Sequence, residues 1–435
     1  MTKTKTHHLR PLPPCLAYYN HQLCLENVVL DKLARTYGTP LYVYSHNAIE
    51  GAYKAYTRAF AAHKHLICYA VKANSNLAVL QLLARLGSGF DIVSVGELER
   101  VLYAGGSADK VVFSGVGKTV DEIRRALEVG IKCFNVESVP ELYLIHDVAA
   151  SLNKKAPVSI RVNPDIDAKT HPYIATGLSE NKFGIAITEV LEVYQQAQQL
   201  AAIDLVGIDC HIGSQILDTH VFRQASEAVI KLINTLTTLG IRLRHIDFGG
   251  GLGIDYRAEQ ASFSPQQLRD NIMPVLQHGL PDYQTYELIF EPGRFIVGNA
   301  GVLLTQVLFT KSNGSKHFAI VDAAMNDLLR PALYQAEHRI VPLAESTEGS
   351  TSVYDYDIVG PVCETGDYLA KNCALSLAEQ SKLAILSTGA YGFVMASNYN
   401  SRPKAAEVLV DGDQHALIRE RDQLDDLWTK EHLIY

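Results

Sequence analysis

Eight short apolar runs, most of them followed by an amphipathic stretch, constrain this chain more than any other feature. The runs are Leu66–Ala70, Phe90–Val93, Val111–Ser114, Cys133–Val136, Val158–Val162, Leu205–Cys210, His245–Phe248 and Leu288–Phe290. Between them lie Leu77–Leu86, Gly96–Tyr103, Asp121–Val129, Pro140–Ala150, Thr188–Ala201, Phe222–Leu239 and Gln266–Gln277, each with helical spacing of its apolar residues. A strand covered on both faces reads as a continuous apolar run, not as an alternating one. A doubly wound sheet would show the same β/α alternation, so the count decides: roughly eight units predict a closed parallel (β/α)8 barrel.

Past Gly298 the alternation stops. Val302–Thr310, Phe318–Val321, Tyr354–Val359, Leu383–Leu386 and Glu407–Val410 read as strands separated by polar loops such as Ala344–Thr351. They predict a second, mainly antiparallel β domain of sandwich-like or barrel-like form. At the other end, Leu25–Tyr37 reads as a helix stopped by Gly38–Thr39–Pro40, because proline cannot continue one. Leu41–Tyr44 then reads as a strand and Asn47–Ala62 as a helix. The expected division is a barrel over 41–298 and a β domain built from 1–40 and 299–435.

At 435 residues the chain exceeds one ordinary core, in keeping with two domains. A net charge of −8 leaves no basic footprint for nucleic acid. No apolar run approaches the length of a membrane helix, and Met1–Arg10 lacks the apolar core of a secretory signal. Seven cysteines, at 15, 24, 68, 133, 210, 363 and 373, include no CxxC pair. That pattern argues against a disulfide framework or a zinc site, predicts no metal, and suits a reducing cytoplasm.

A barrel gathers its chemistry where its strands end. Lys72 closes the first run and Asp91 lies in the second, with Ser94 just after it. Arg161 and Asn163 close the fifth, His211–Gln215 the sixth, Gly249–Gly253 the seventh, and Glu291–Arg294 the eighth. Packing alone does not produce that coincidence. The glycine run lacks the spacing of a dinucleotide fingerprint, but loops after strands seven and eight are where barrels often hold phosphate. A lysine leaving a strand ordinarily snorkels to water. Facing a carboxylate and phosphate loops across one mouth, Lys72 reads instead as a lysine that carries pyridoxal phosphate (PLP) covalently. Glu291 suits the acidic partner that the pyridine nitrogen needs, and His211, beside Gly213–Ser214, suits stacking on a ring. Two other readings stay open from these residues: a PLP-binding regulatory protein without turnover, and a phosphosugar barrel enzyme in which Lys72 acts without a cofactor.

The second domain contributes three more motifs. Arg330 and Tyr334 stand four residues apart, Gly360–Asp367 presents Cys363 beside Glu364, and Gly389–Phe393 with Asn398–Pro403 forms an aromatic, glycine-containing loop around Tyr391. Each has an ordinary explanation: a surface arginine, a packed thiol, a hairpin tyrosine.

Taken in order over residues 25–410, these stretches resemble the fold-type III PLP-dependent decarboxylases, and among them the diaminopimelate decarboxylase family. Tyr69–Asn74, His171–Gly177, Lys182–Ile185, His211–Gln215, Gly249–Gly253, Glu291–Arg294, Arg330–Tyr334, Cys363–Asp367 and Tyr391–Pro403 carry the resemblance. It implies loss of CO2 from meso-2,6-diaminopimelate to give L-lysine, with ornithine, arginine or carboxynorspermidine as alternative substrates. It implies that Lys72, Asp91, His211, Ser214, Gly250, Gly251, Glu291, Gly293, Arg294 and Tyr391 bind PLP. Lys72 and Cys363 would be the catalytic pair, Cys363 as proton donor. Arg294, Arg330, Tyr334, Glu364 and Tyr391 would bind the substrate. It further implies a homodimer in which the Cys363–Glu364 loop serves the neighbouring subunit. Thr365 stands where the family commonly has Ser, and Gln335 where Gly is common.

Overall fold

A computed structural model describes residues 11–166, 181–258, 263–345 and 352–434. The His171–Gly177 stretch lies outside the described residues. Two compact units make up the chain: Met1–Ile49 with Asp255–Ser262 and Val297–Tyr435, and Glu50–Ile254 with Phe263–Ile296.

The second of these is the expected barrel. Its strands are β1 (His65–Ala70), β2 (Gly89–Ile92), β3 (Val111–Phe113), β4 (Cys133–Val136), β5 (Ala156–Asn163), β6 (Ile203–Asp209), β7 (His245–Asp247) and β8 (Glu287–Phe290). Each pairs in parallel with the next, and β8 pairs with β1, so the sheet closes on itself. Closure leaves no exposed edge on these eight strands. Cys68, Val112, Cys133, Val206 and Ile289, one from each of five strands, form a buried apolar cluster. Helices α1 (Leu77–Arg85), α2 (Val95–Tyr103), α3 (Val120–Val129), α4 (Val139–Ser151), α5 (Val190–Gln199), α6 (His220–Thr238) and α7 (Pro265–Gly279) follow the first seven strands. Their starts are marked in the sequence: Asn76, Ser94, Thr119, Ser138 and Ser264 each accept a hydrogen bond from a backbone N–H of the first turn.

The other unit is mainly antiparallel. Strand 301–313 is its spine, flanked over its first half by 41–45 and 382–385 and paired over its second half with 316–321. Strand 406–411 runs parallel to 41–45 and antiparallel to 414–419. A small meander of 16–19, 22–25 and 28–29 sends Leu16, Leu23 and Leu25 into the same core as Val302, Leu304 and Val408. The division expected at residue 41 therefore moves. Leu41–Ser45 is buried along its whole length between two strands of this sheet, so it belongs with 1–40. No helix among the described residues is long and apolar enough to cross a membrane.

Candidate active site

Lys72 does not sit on β1 itself. The strand ends at Ala70, and Val71–Ala73 forms one 3-10 turn that carries the lysine. The surrounding motif explains why that turn is fixed. The Tyr69 hydroxyl donates to the Asn74 carbonyl at 2.9 Å, and the Asn74 side chain accepts from the Asn76 N–H at 3.0 Å. Asn76 in turn caps α1. Tyr69–Asn74 is thus a strand exit clamped at both ends, which orders the lysine stem before anything binds. Its Nζ pairs with Oδ2 of Asp91 from β2; the Asp91 side chain is fully buried, while Lys72 is 35% exposed. A buried carboxylate needs such a cation, since burial without one costs several kcal/mol.

Glu291 follows β8 directly and is buried. Its Oε1 accepts from the Asn135 amide of β4 at 3.1 Å and from the Ser114 hydroxyl at 3.5 Å. Carboxylate oxygens of Asp209, Asp247 and Glu291 all lie within 4.8 Å of one another. Burial, and then the nearby charges of Asp247, Asp91 and Asp209, push the Glu291 carboxyl well above the usual range, while Lys72 pulls it down. Burial likewise pushes Asp247 up to about 7, against the pull of the Gly249 N–H. Arg161 answers part of this charge, 2.8 Å from Glu137 and 3.7 Å from Asp209. Glu291 therefore rests in a setting that favours a bound proton or a cation in front of it.

The loops after β6, β7 and β8 pack against each other closely. The Gly250 N–H donates to Nδ1 of His211 at 3.0 Å. That bond needs a lone pair on Nδ1. Burial and the charges of Arg161 and Lys72 hold the imidazole pKa well below its ordinary value, which keeps that lone pair available. A Cβ at Gly250 would stand 2.3 Å from the Glu291 carbonyl, and Gly251 has φ +106 with the Gly213 carbonyl 2.4 Å from where a Cβ would be. Only glycine fits those two positions. Arg294 donates to the Ser214 hydroxyl at 2.8 Å, joining the loops after β6 and β8.

PLP presents an aldehyde, a pyridine nitrogen, a flat ring and a phosphate. The donor set at this mouth matches them: the Lys72 amine, the Glu291 carboxyl, the His211 ring, and the Ser214 hydroxyl with the Arg294 guanidinium and glycine backbone. The residues present fit the group.

Of the expected substrate residues, Arg294 belongs to the barrel unit, and Arg330, Tyr334, Glu364 and Tyr391 lie in the β unit. Arg330 opens a short helix, 330–334, and is buried. Its Nε donates to Nε2 of His338 at 3.3 Å, and its guanidinium lies 4.9 Å from the Tyr256 ring and 5.9 Å from the Tyr334 ring. Gln335, which ends that helix, takes the left-handed conformation (φ 52) that glycine enters freely, so the turn keeps its path at a small strain. Cys363 is exposed, and its backbone N–H donates to Asn400 at 2.8 Å. Glu364 accepts from the Tyr399 hydroxyl at 2.6 Å. Their loop is held by Asp367, which accepts from the Met325 and Val362 N–H groups at 2.7 and 2.9 Å. Thr365 is exposed beside them, and Tyr391 sits half-buried with φ 55.

Sequence reasoning passed over Asn135, Ser114, Asp247, Tyr256 and His338. Asn135 and Asp247 carried a faint signal, a polar residue inside an otherwise apolar strand run. A single histidine such as His338 carries none, because nothing local says what it will face.

Residues 46–298 match the family described as pyridoxal-dependent decarboxylase, pyridoxal binding domain. The diaminopimelate decarboxylase of Vibrio cholerae is 54% identical over 421 residues, 96% of this chain and 99% of that protein. That of Pseudomonas aeruginosa is 55% identical over 420 residues, with the same shares. Among solved structures, the Helicobacter pylori diaminopimelate decarboxylase complexed with L-lysine superposes with a TM-score of 0.88 at 47% identity, covering 92% of this chain and 99% of that one. The M. jannaschii enzyme in co-complex with L-lysine gives 0.92 at 35% identity, covering 97% and 99%. With the barrel, the lysine turn and the acid at β8 already in place, this likeness over nearly the whole length has one reading: the chain belongs to the pyridoxal-dependent decarboxylases, within the diaminopimelate decarboxylase family.

Proposed function

We propose that this chain removes CO2 from meso-2,6-diaminopimelate to give L-lysine, using PLP at the barrel mouth. The observation that carries the reading is the convergence of Lys72, Asp91, His211, Ser214 and Glu291 on one end of one barrel. The names of relatives more than half identical to it, and the lysine complexes of similar structures, support the substrate.

When bound, PLP supplies a conjugated sink for the electron pair left behind as CO2 departs. Lys72 would anchor it through Nζ; with no cofactor bound, that amine pairs with Asp91, a carboxylate placed to take its proton. Glu291, aligned by Asn135 and Ser114, would hold a proton at the pyridine nitrogen. Its strained surroundings of carboxylates make it eager for a cation there. Ser214, Gly250, Gly251, Gly293 and Arg294 would hold the phosphate. His211, held uncharged, would support the ring without competing for that proton. Cys363 passes its Sγ proton to the substrate carbon that has lost its carboxylate. Arg330 and Tyr334 would meet the far carboxylate and Glu364 the far ammonium.

A proton donor open to bulk water would lose its timing. The exposure of Cys363 and Glu364 therefore supports a homodimer in which this loop serves the partner's site. Seven free thiols support a reducing compartment, the cytoplasm. The test is CO2 release from meso-diaminopimelate, ornithine and arginine side by side. Turnover confined to diaminopimelate is the expected result. A preference for ornithine or arginine discards the far-carboxylate contacts.

A further inference from the structure

Arg330 is embedded among groups that steer it. His338 is buried, and its Nδ1 lies 2.9 Å from the Leu386 carbonyl. A carbonyl only accepts, so the ring proton is on Nδ1 and Nε2 keeps a lone pair. That lone pair takes the Arg330 Nε–H at 3.3 Å. The imidazole is therefore a fixed relay from the strand end at Leu386 to the arginine. Tyr256 covers the guanidinium at 4.9 Å and meets the His338 ring edge-on at 5.0 Å. The residues next to Tyr256 and His338 also meet: the exposed Arg257 and Glu337 side chains pair at 2.8 Å.

We propose that His338 and Tyr256 are positioning residues for Arg330 and so set the preference for a substrate with a second carboxylate. The inference rests on the reading that Arg330 binds that carboxylate. Fixing Nε fixes the plane of the guanidinium, and with it the direction in which the Nη groups present their donors. A carboxylate is recognised through that planar fork, so an arginine free to swivel binds it less well than one held in plane. The ring face of Tyr256 steadies the same plane while leaving the positive charge uncompensated and the Nη donors unused, which a carboxylate partner in its place would not. Neither residue touches the reacting carbon, so the two act through KM.

The experiment compares wild type with His338→Leu, His338→Gln, Tyr256→Leu and Tyr256→Phe, each loaded with PLP. Steady-state kinetics on meso-diaminopimelate are read beside the cofactor's absorption spectrum and the thermal midpoint. His338→Leu and Tyr256→Leu are expected to raise KM about tenfold, the effect of one lost charge-assisted contact, with kcat within about threefold and the spectrum unchanged. His338→Gln, which can still accept at the same place, and Tyr256→Phe, which keeps the ring, are expected to recover most of the affinity. Unchanged KM in both leucine variants overturns the inference, and so does an equal fall in kcat with loss of cofactor, the mark of a merely structural role. Wild-type enzyme that releases no CO2 from meso-diaminopimelate overturns the proposed function first and this inference with it, so the two failures are told apart in the wild-type lane.

Discussion

At the barrel mouth the reactive side chains leave the ends of strands, are packed among buried carboxylates, and shift each other's proton affinity. In the β unit they ride on loops and a five-residue helix, and two of them, Cys363 and Glu364, stand in solvent. The barrel residues are held by secondary structure: Asn135 lies on β4, Glu291 directly follows β8, and Lys72 rides on the 3-10 turn that Tyr69 and Asn74 clamp. The loop residues are held by a few side-chain-to-backbone bonds, chiefly those of Asp367 and Asn400. A cofactor that stays through many turnovers suits the first arrangement. A substrate that must enter and leave suits the second.

The largest expected effect tests the rigid side of that contrast. Lys72→Ala should lower CO2 release by about three orders of magnitude or more and abolish borohydride labelling of the chain, with the fold intact by circular dichroism. Retained labelling elsewhere would move the anchor to another lysine.

Glu291→Gln should cost on the order of 10²-fold in kcat, because a neutral amide cannot hold a proton at the pyridine nitrogen. It also removes one of three crowded carboxyls, so the thermal midpoint of the cofactor-free protein should not fall. A lower midpoint would mean that the cluster stabilises the barrel instead of straining it.

On the loop side, Cys363→Ala should lower kcat about 10²-fold while leaving the thermal midpoint within about one degree, since an exposed thiol packs against little. Unchanged turnover would remove the proton-donor role and with it the reason for bringing this loop to a partner's site.

The smallest effect on turnover belongs to a buried acid that acts on stability through pH. Asp327, buried in the β unit, has its carboxyl pushed from 3.8 up to about 7, by burial first, against the Ala324 N–H that it accepts. The folded chain thus holds this proton more tightly than the unfolded chain. The stability it contributes is full below the unfolded value and is lost as pH rises through about 7. Asp327→Asn should flatten the decline of the thermal midpoint between about pH 4 and pH 7, a difference on the order of a few kcal/mol. Parallel curves for variant and wild type would show that the carboxyl ionises normally.

Periodicity alone was enough for the barrel. Continuous apolar runs at regular spacing can be buried on both faces only if helices cover them, and roughly eight such units close. Most of the residues at its mouth were legible for the same reason, since polar and glycine residues stand out where an apolar run ends. That Lys72 leaves the end of the first strand is legible in the sequence; that it rides on a 3-10 turn is not, because turn geometry depends on Tyr69 and Asn74 meeting across it.

What tertiary structure alone decided has a common cause. Leu41–Ser45 carries no mark of which sheet it joins; hydrogen bonds to 301–304 and 406–410, hundreds of residues away, assign it. His338, Tyr256 and Arg330 are ordinary residues in isolation, and become one device only where the fold brings position 256 to positions 330 and 338. Local pattern encodes which face of an element is buried. It does not encode which neighbour does the burying, and the orientation of a buried charge is set by the neighbour.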